Sequence, residues 1–223
     1  IPAKIEQHKF NPATLIWMNK PAAKWNDAIP VGNGRLGGMI YGGVNEEHIQ
    51  LNEDTYWTGG PYSSVVKGGY KYLNEVRDLV FKGKFVEAQT LFGRKLMGYP
   101  VEQQKYQSLA DLMLFFLQQQ NITGYKRWLD LETGTAGVEY ISNGVTYRRE
   151  VFSSAPDQVI AIRLTASKPG SISFTANLRG VRNQQHSDYG TDYFRMDGLG
   201  NDGLQLTGKS ADYLGVEGKL RYD

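Results

Sequence analysis

The chain has 223 residues and a net charge of +2 at pH 7, so it is long enough for one large β domain or two small domains. It has no basic run and no apolar run near the roughly 20 residues that span a bilayer, so we predict no nucleic-acid partner and no membrane partner. The lack of cysteine excludes disulfides and thiol nucleophiles, and the three histidines are scattered. We therefore predict no metal and no cofactor.

The first part of the chain changes from a strand pattern to a helical one. Short strands are predicted at Thr14–Met18, Leu36–Tyr41 and Glu47–Leu51, before a loop over Tyr56–Gly69. Apolar side chains then recur every three or four residues, which is the spacing of one helical face. We predict two helices, Tyr70–Lys82 and Lys84–Met97, with Gly83 between them.

The second part of the chain is predicted to be almost entirely β. Its strongest turn signal is Asn143-Gly144, which predicts a hairpin with a type I′ turn between Gly137–Ser142 and Val145–Phe152. A polar segment, Asn183–Gly190, is predicted to be an exposed loop. Further strands are predicted at Val159–Ala166, Ser171–Leu178, Leu204–Leu206 and Leu214–Arg221.

These elements predict the fold class: mainly β, as a large antiparallel β-sandwich with a short inserted helical pair at about residues 70–97. No repeat or low-complexity linker divides the chain, so we interpret residues 1–223 as a single domain. The sequence stops within the last predicted strand, which indicates a fragment of a longer protein.

Three glycines, Gly32, Gly34 and Gly37, have the spacing of a dinucleotide-binding fingerprint. That fingerprint requires a strand before it and a helix after it. Pro30 disfavours a central strand on one side, and the glycine-rich Gly37–Gly43 would make a poor helix on the other. We reject a nucleotide site and interpret these glycines as loop formers.

Carboxylates are the obvious candidates for catalysis, because a glycosidase needs two of them flanking the scissile bond. Glu46 and Glu47 are adjacent on a predicted strand, so their side chains should point to opposite faces. Glu53 and Asp54 lie in a loop, which is a better place for a working carboxylate, although both can also be solvated or cap the loop. No serine–histidine–aspartate arrangement stands out. We predict no catalytic residue in this chain.

The glycine-shaped loops carry polar and aromatic side chains that could act on a partner. These side chains could brace their own turns, meet another domain or contact a sugar. The candidates for a substrate cleft or a domain interface are Asn33, Arg35, Asn52, Glu53 and Trp57.

From about Leu15 to Leu178 the chain resembles the N-terminal region of the α-L-fucosidases of glycoside hydrolase family 95. Several spaced blocks in the same order are more specific than one motif. The blocks are Trp25-Asn26-x-Ala28-x-Pro30-x-Gly32-Asn33-Gly34-Arg35-Leu36-Gly37, Ile49-Gln50-Leu51-Asn52-Glu53-Asp54-Thr55-x-Trp57, Tyr106-Gln107-x-Leu109-x-Asp111-Leu112, Tyr125-x-Arg127-x-Leu129-Asp130-Leu131, Tyr147-x-Arg149-Glu150-x-Phe152 and Pro156-Asp157-Gln158-Val159-Ile160.

The resemblance implies an N-terminal β-sandwich that precedes an (α/α)₆ helical barrel in the same protein. In that family the barrel carries the catalytic residues and hydrolyses terminal α-1,2-linked L-fucose with inversion, without metal or nucleotide. The implied partners are therefore the helical catalytic domain and a fucosylated glycan. We expect this chain to be inactive alone, and its parent to be a bacterial enzyme with a periplasmic or extracellular location.

Two other functions are compatible with the sequence. The aromatic content and the sandwich fold would also suit a free-standing carbohydrate-binding module. A purely structural or assembly domain is the other alternative, and an exposed apolar patch beside the predicted helices would favour it.

Overall fold

A computed structural model describes residues 11, 13–102, 104–180 and 194–222. Two α-helices follow a 3₁₀ turn at Gly69–Tyr72, and a second 3₁₀ turn lies at Trp25–Asp27. The helices are α1 (Leu73–Phe81) and α2 (Phe85–Lys95). The described strands are β1 (Leu15–Met18), β2 (Ile29–Gly32), β3 (Leu36–Ile40), β4 (Glu46–Glu53), β5 (Ala110–Phe116), β6 (Thr123–Asp130), β7 (Thr135–Ser142), β8 (Val145–Ser154), β9 (Val159–Ala166), β10 (Phe174–Arg179), β11 (Phe194–Leu199), β12 (Gly203–Lys209) and β13 (Arg221–Tyr222).

Two five-stranded antiparallel sheets form the sandwich. Sheet I has the strand order β1-β6-β7-β8-β9, and sheet II has the order β10-β5-β4-β3-β2. A smaller third sheet has the order β11-β12-β13. The core joins the first two sheets, because Ile40 and Ile49 of sheet II pack in one buried cluster with Ala136 and Val151 of sheet I. The predicted mainly β fold with a helical pair is confirmed.

The predicted hairpin is confirmed in its residues and in its turn. β7 and β8 pair in register from Ala136 opposite Val151 to Ser142 opposite Val145. The two turn residues both have positive φ, 47° at Asn143 and 79° at Gly144, as a type I′ turn requires. This local signal needs no tertiary context, which explains its accuracy.

Two strand predictions need correction. A strand over Leu214–Arg221 is wrong, because Leu214 and Gly215 have φ values of 46° and 79° and turn the chain back on itself. Tyr213 and Val216 bond to each other across that turn, and only β13 remains of the predicted strand. The strand expected over Ser171–Leu178 begins later, as β10. The predicted loop at Asn183–Gly190 lies outside the described residues.

The glycine motif forms the hairpin between β2 and β3. A strand does precede it, contrary to what Pro30 suggested, but β2 is the last strand of sheet II. Proline is tolerated at such an edge because its missing N–H is not needed there. The chain then enters β3, not a helix, so the strand-turn-helix of a dinucleotide site is absent from residues 29–40.

Candidate functional site

The turn between β2 and β3 is built around the side chain of Asn33. Its Oδ1 accepts hydrogen bonds from the backbone N–H groups of Arg35 at 3.0 Å and Leu36 at 2.7 Å. Its Nδ2 donates to the carbonyl of Ser154 in sheet I at 2.7 Å. Gly34 has a φ of 95°, a conformation that residues with a Cβ rarely adopt. Asn33 therefore fixes the turn and ties it to the opposite sheet.

Arg35 projects from this turn and links three loops. Its guanidinium lies 3.6 Å from Oε1 of Glu53, and its Nε donates to Oε1 of Gln158 at 2.6 Å. Glu53 in turn accepts from the backbone N–H of Thr55 at 2.9 Å and from its hydroxyl at 2.6 Å. Half of the Arg35 side chain is exposed, so the guanidinium is held in place but open to a partner.

Tyr106 contacts both of the remaining candidates, Asn52 and Trp57, although it was not itself predicted as a site residue. Its hydroxyl contacts the Asn52 side chain and donates to the carbonyl of Glu53 at 3.0 Å. The ring of Trp57 meets Tyr106 edge-on at 5.1 Å, and the Trp57 indole donates to the carbonyl of Asp54 at 3.2 Å. Burial raises the pKa of Tyr106 above its usual value, so its hydroxyl remains a proton donor.

The five predicted candidates thus lie together at one end of the sandwich. With Tyr106 they form what we call the loop cluster, comprising Asn33, Arg35, Asn52, Glu53, Trp57 and Tyr106. Most of their hydrogen bonds brace their own turns, as one of the sequence alternatives stated. Trp57 and Arg35 nevertheless remain exposed. The loop cluster therefore offers a cation and an indole on a rigid frame.

The neighbouring acids Glu46 and Glu47 point to opposite faces, as predicted. Glu46 is exposed, whereas Glu47 is fully buried between the sheets. Its Oε2 lies 3.1 Å from the guanidinium of Arg149, and its Oε1 accepts from the N–H of Gly42 at 2.7 Å. Burial raises the pKa of Glu47, and the charge of Arg149 opposes that rise. Such a closed pair holds the sheets together and cannot reach a substrate.

Other polar groups complete this inter-sheet polar cluster. Arg149 also donates to the carbonyl of Gly43, and its guanidinium lies 4.9 Å from the ring centre of Phe116. The Tyr125 hydroxyl donates to the carbonyl of Gly42 at 2.6 Å, and burial raises its pKa. This cluster is not predictable from the sequence, because nothing in the local pattern marks Glu47 as buried.

The histidine of sheet II also has a structural explanation. His48 lies 2.7 Å from Oδ1 of Asp111 and stacks on Tyr41 with ring centres 4.3 Å apart. Within the residues that the structure describes, no group of three or more histidines and carboxylates could hold a metal ion. In that same part of the chain, no helix combines the length and apolar character needed to cross a bilayer.

Comparison with protein families shows which family this sandwich domain belongs to. Residues 16–218 match the family described as glycosyl hydrolase family 65, N-terminal domain. The chain belongs to this family. The match covers both main sheets, the helical pair and the loop cluster. The chain is accordingly an N-terminal domain of a glycoside hydrolase.

The relatives are named as fucosidases, which confirms the resemblance seen in the sequence. The chain is 46% identical over 157 residues to alpha-L-fucosidase 2 of Arabidopsis thaliana, covering 69% of this chain and 18% of the relative. It is 33% identical over 169 residues to the probable alpha-fucosidase A of Aspergillus niger, covering 71% and 21%. The chain spans about a fifth of the length of these curated relatives. Because they come from a plant and a fungus, they do not support the predicted bacterial source.

Proposed function

We propose that this glycoside hydrolase domain belongs to an inverting α-L-fucosidase that removes terminal α-1,2-linked L-fucose. The names of the relatives support fucose as the sugar. In this proposal a helical barrel in the rest of the parent protein supplies the catalytic acid and the water-positioning groups, and this chain alone is inactive. The proposed location of the parent is periplasmic or extracellular.

Within that enzyme, the proposed role of the domain is to brace the barrel and to form one wall of the active-site cleft. The observation that carries this role is the loop cluster, in which Arg35 and Trp57 stay exposed on turns that hydrogen bonds hold rigid. A side chain already held in one position loses less conformational entropy when it meets a partner. The guanidinium of Arg35 can donate to sugar hydroxyls or to carbonyls of a barrel loop, and the exposed ring of Trp57 can pack on an apolar surface.

Kinetics of the full-length parent protein test this role. Replacing Trp57 with alanine should lower kcat/KM for a fucosyl substrate by roughly tenfold, about the effect of one well-placed contact. The matched control is Trp17→Ala, because Trp17 is also exposed but lies on β1, at the edge of sheet I. Equal kcat/KM values for Trp57→Ala, Trp17→Ala and the unmodified parent would contradict the cleft role.

A free-standing carbohydrate-binding module is the second candidate function. It is favoured by the exposed rings of Trp57 and Tyr106 in the loop cluster, and by that of Trp25, whose indole donates to the Gln50 side chain on β4. The apolar face of a pyranose ring can pack on such aromatic rings, while their polar groups hydrogen-bond nearby. Calorimetric titration of this chain with fucosylated oligosaccharides tests it. Binding heat at millimolar ligand would support this function, and its absence would count against it.

A further inference from the structure

The turn between α1 and α2 exposes four apolar side chains within seven residues. Phe81 is 86% exposed, Phe85 is 66% exposed and Val86 is 77% exposed, and Val80 beside them is also exposed. We call these four residues the apolar knob. Single exposed apolar residues are ordinary, but a contiguous exposed group marks an interaction site.

The apolar knob is held on a rigid turn. The N–H of Lys84 donates to the carbonyl of Leu79 at 2.9 Å, and the N–H of Gly83 donates to the carbonyl of Val80 at 3.0 Å. Gly83 has a φ of 72°, so the turn has the hydrogen bonds and the left-handed residue of a Schellman motif. The backbone that carries both phenylalanines is therefore fixed, which lowers part of the entropic cost of binding.

Several other apolar residues of the helical pair pack internally, although Leu73 and Phe92 are also exposed. The helices pack mainly on each other and on the 3₁₀ turn before α1. Ala88 is buried and Leu79 and Leu91 are half-buried in the pair, whereas the apolar knob is left outside. The knob is therefore not needed to hold the two helices together.

The most suitable occupant of this surface lies in the same polypeptide. This chain spans about a fifth of the length of its relatives, so most of a protein of that length lies outside it. Two phenylalanines offer about 300–500 Å² of contact, whereas separate partners bury about 800 Å² each in a stable complex. A covalently linked partner needs less area, because its effective concentration is high.

We propose that the apolar knob inserts into an apolar socket in the part of the parent protein outside this chain. Lys84 already pairs with Glu87 at 3.6 Å, but Lys82 adjoins Phe81, so an acidic side chain should rim that socket. This inference rests on the part of the proposed function that makes this chain one domain of a longer glycosidase. It names the surface through which the domain braces its neighbour, on the helical pair and separate from the loop cluster.

Hydrogen exchange of residues 73–95 tests the docking. In the full-length parent these amides should exchange about tenfold or more slowly than in this chain alone, because docking suppresses local opening. A Phe81→Ser/Phe85→Ser double variant of the parent should lose that protection. Phe152→Ser, which changes an exposed phenylalanine on β8, should keep it. Equal exchange in the parent and in this chain would overturn the proposal.

Sedimentation of this chain alone identifies a competing occupant. A monomer at all concentrations is the expected result. A dimer that the Phe81→Ser/Phe85→Ser variant abolishes would assign the apolar knob to a second copy and overturn the proposal. Neither result depends on the kinetics of Trp57→Ala, so docking and the cleft role fail or hold separately.

Discussion

Two arginine–glutamate pairs of this domain have the same chemistry in opposite surroundings. Glu47 and Arg149 lie 3.1 Å apart with side chains 1% and 5% exposed, whereas Arg35 and Glu53 lie 3.6 Å apart with side chains 48% and 17% exposed. Removing one partner of a buried pair leaves a charge without water, but an exposed pair contributes little to stability. Burial therefore assigns the first pair to stability and leaves the second available for function.

The largest expected effect is at the buried pair. Glu47→Gln should destabilise this chain by about 3–5 kcal/mol, because Arg149 would keep a buried charge without its counter-ion. Urea unfolding measures the change. The matched control is Glu139→Gln in the exposed Lys126–Glu139 pair, at 2.8 Å, which should cost less than about 1 kcal/mol. Similar losses in both variants would contradict the contrast between the two environments.

An intermediate effect is expected at Asn33, which links the exposed loops to the buried frame. Asn33→Ala removes two bonds to backbone N–H groups and one to the Ser154 carbonyl, and should cost about 1–3 kcal/mol in thermal unfolding. Asn33→Asp retains the acceptor for Arg35 and Leu36, so it should lose less. An aspartate variant as unstable as the alanine variant would show that the turn bonds contribute nothing.

Local patterns accounted for much of this fold. The Asn143-Gly144 turn, the helical pair and the strand after the glycine motif depend on neighbouring residues, and the sequence predicted them, whereas β2 before that motif was not predicted. Four members of the loop cluster were predictable together because they lie in two segments, the turn between β2 and β3 and the end of β4, and those strands pair directly. Gly37 opposite Asn52 and Leu36 opposite Glu53 bring the segments together. Tyr106 reaches the cluster from a distant part of the chain and was not predicted.

Features that depend on distant residues were not predictable in this way. The partner of Glu47 lies on the opposite sheet, so no short-range pattern marks that glutamate as buried. The left-handed conformation of Leu214 is rare outside glycine and asparagine, which explains the wrong strand there. Helical periodicity predicted α1 and α2 but could not show that the apolar knob between them would be left uncovered.

The most direct test of the central claim compares Arg35→Ala with Lys126→Ala in the full-length parent. Both remove a half-exposed cation from an ion pair, so each should change stability by less than about 1 kcal/mol. Only Arg35 belongs to the loop cluster, so Arg35→Ala should lower kcat/KM roughly tenfold while Lys126→Ala leaves it unchanged. Equal kcat/KM values in the two variants would contradict the assignment of the exposed pair to function.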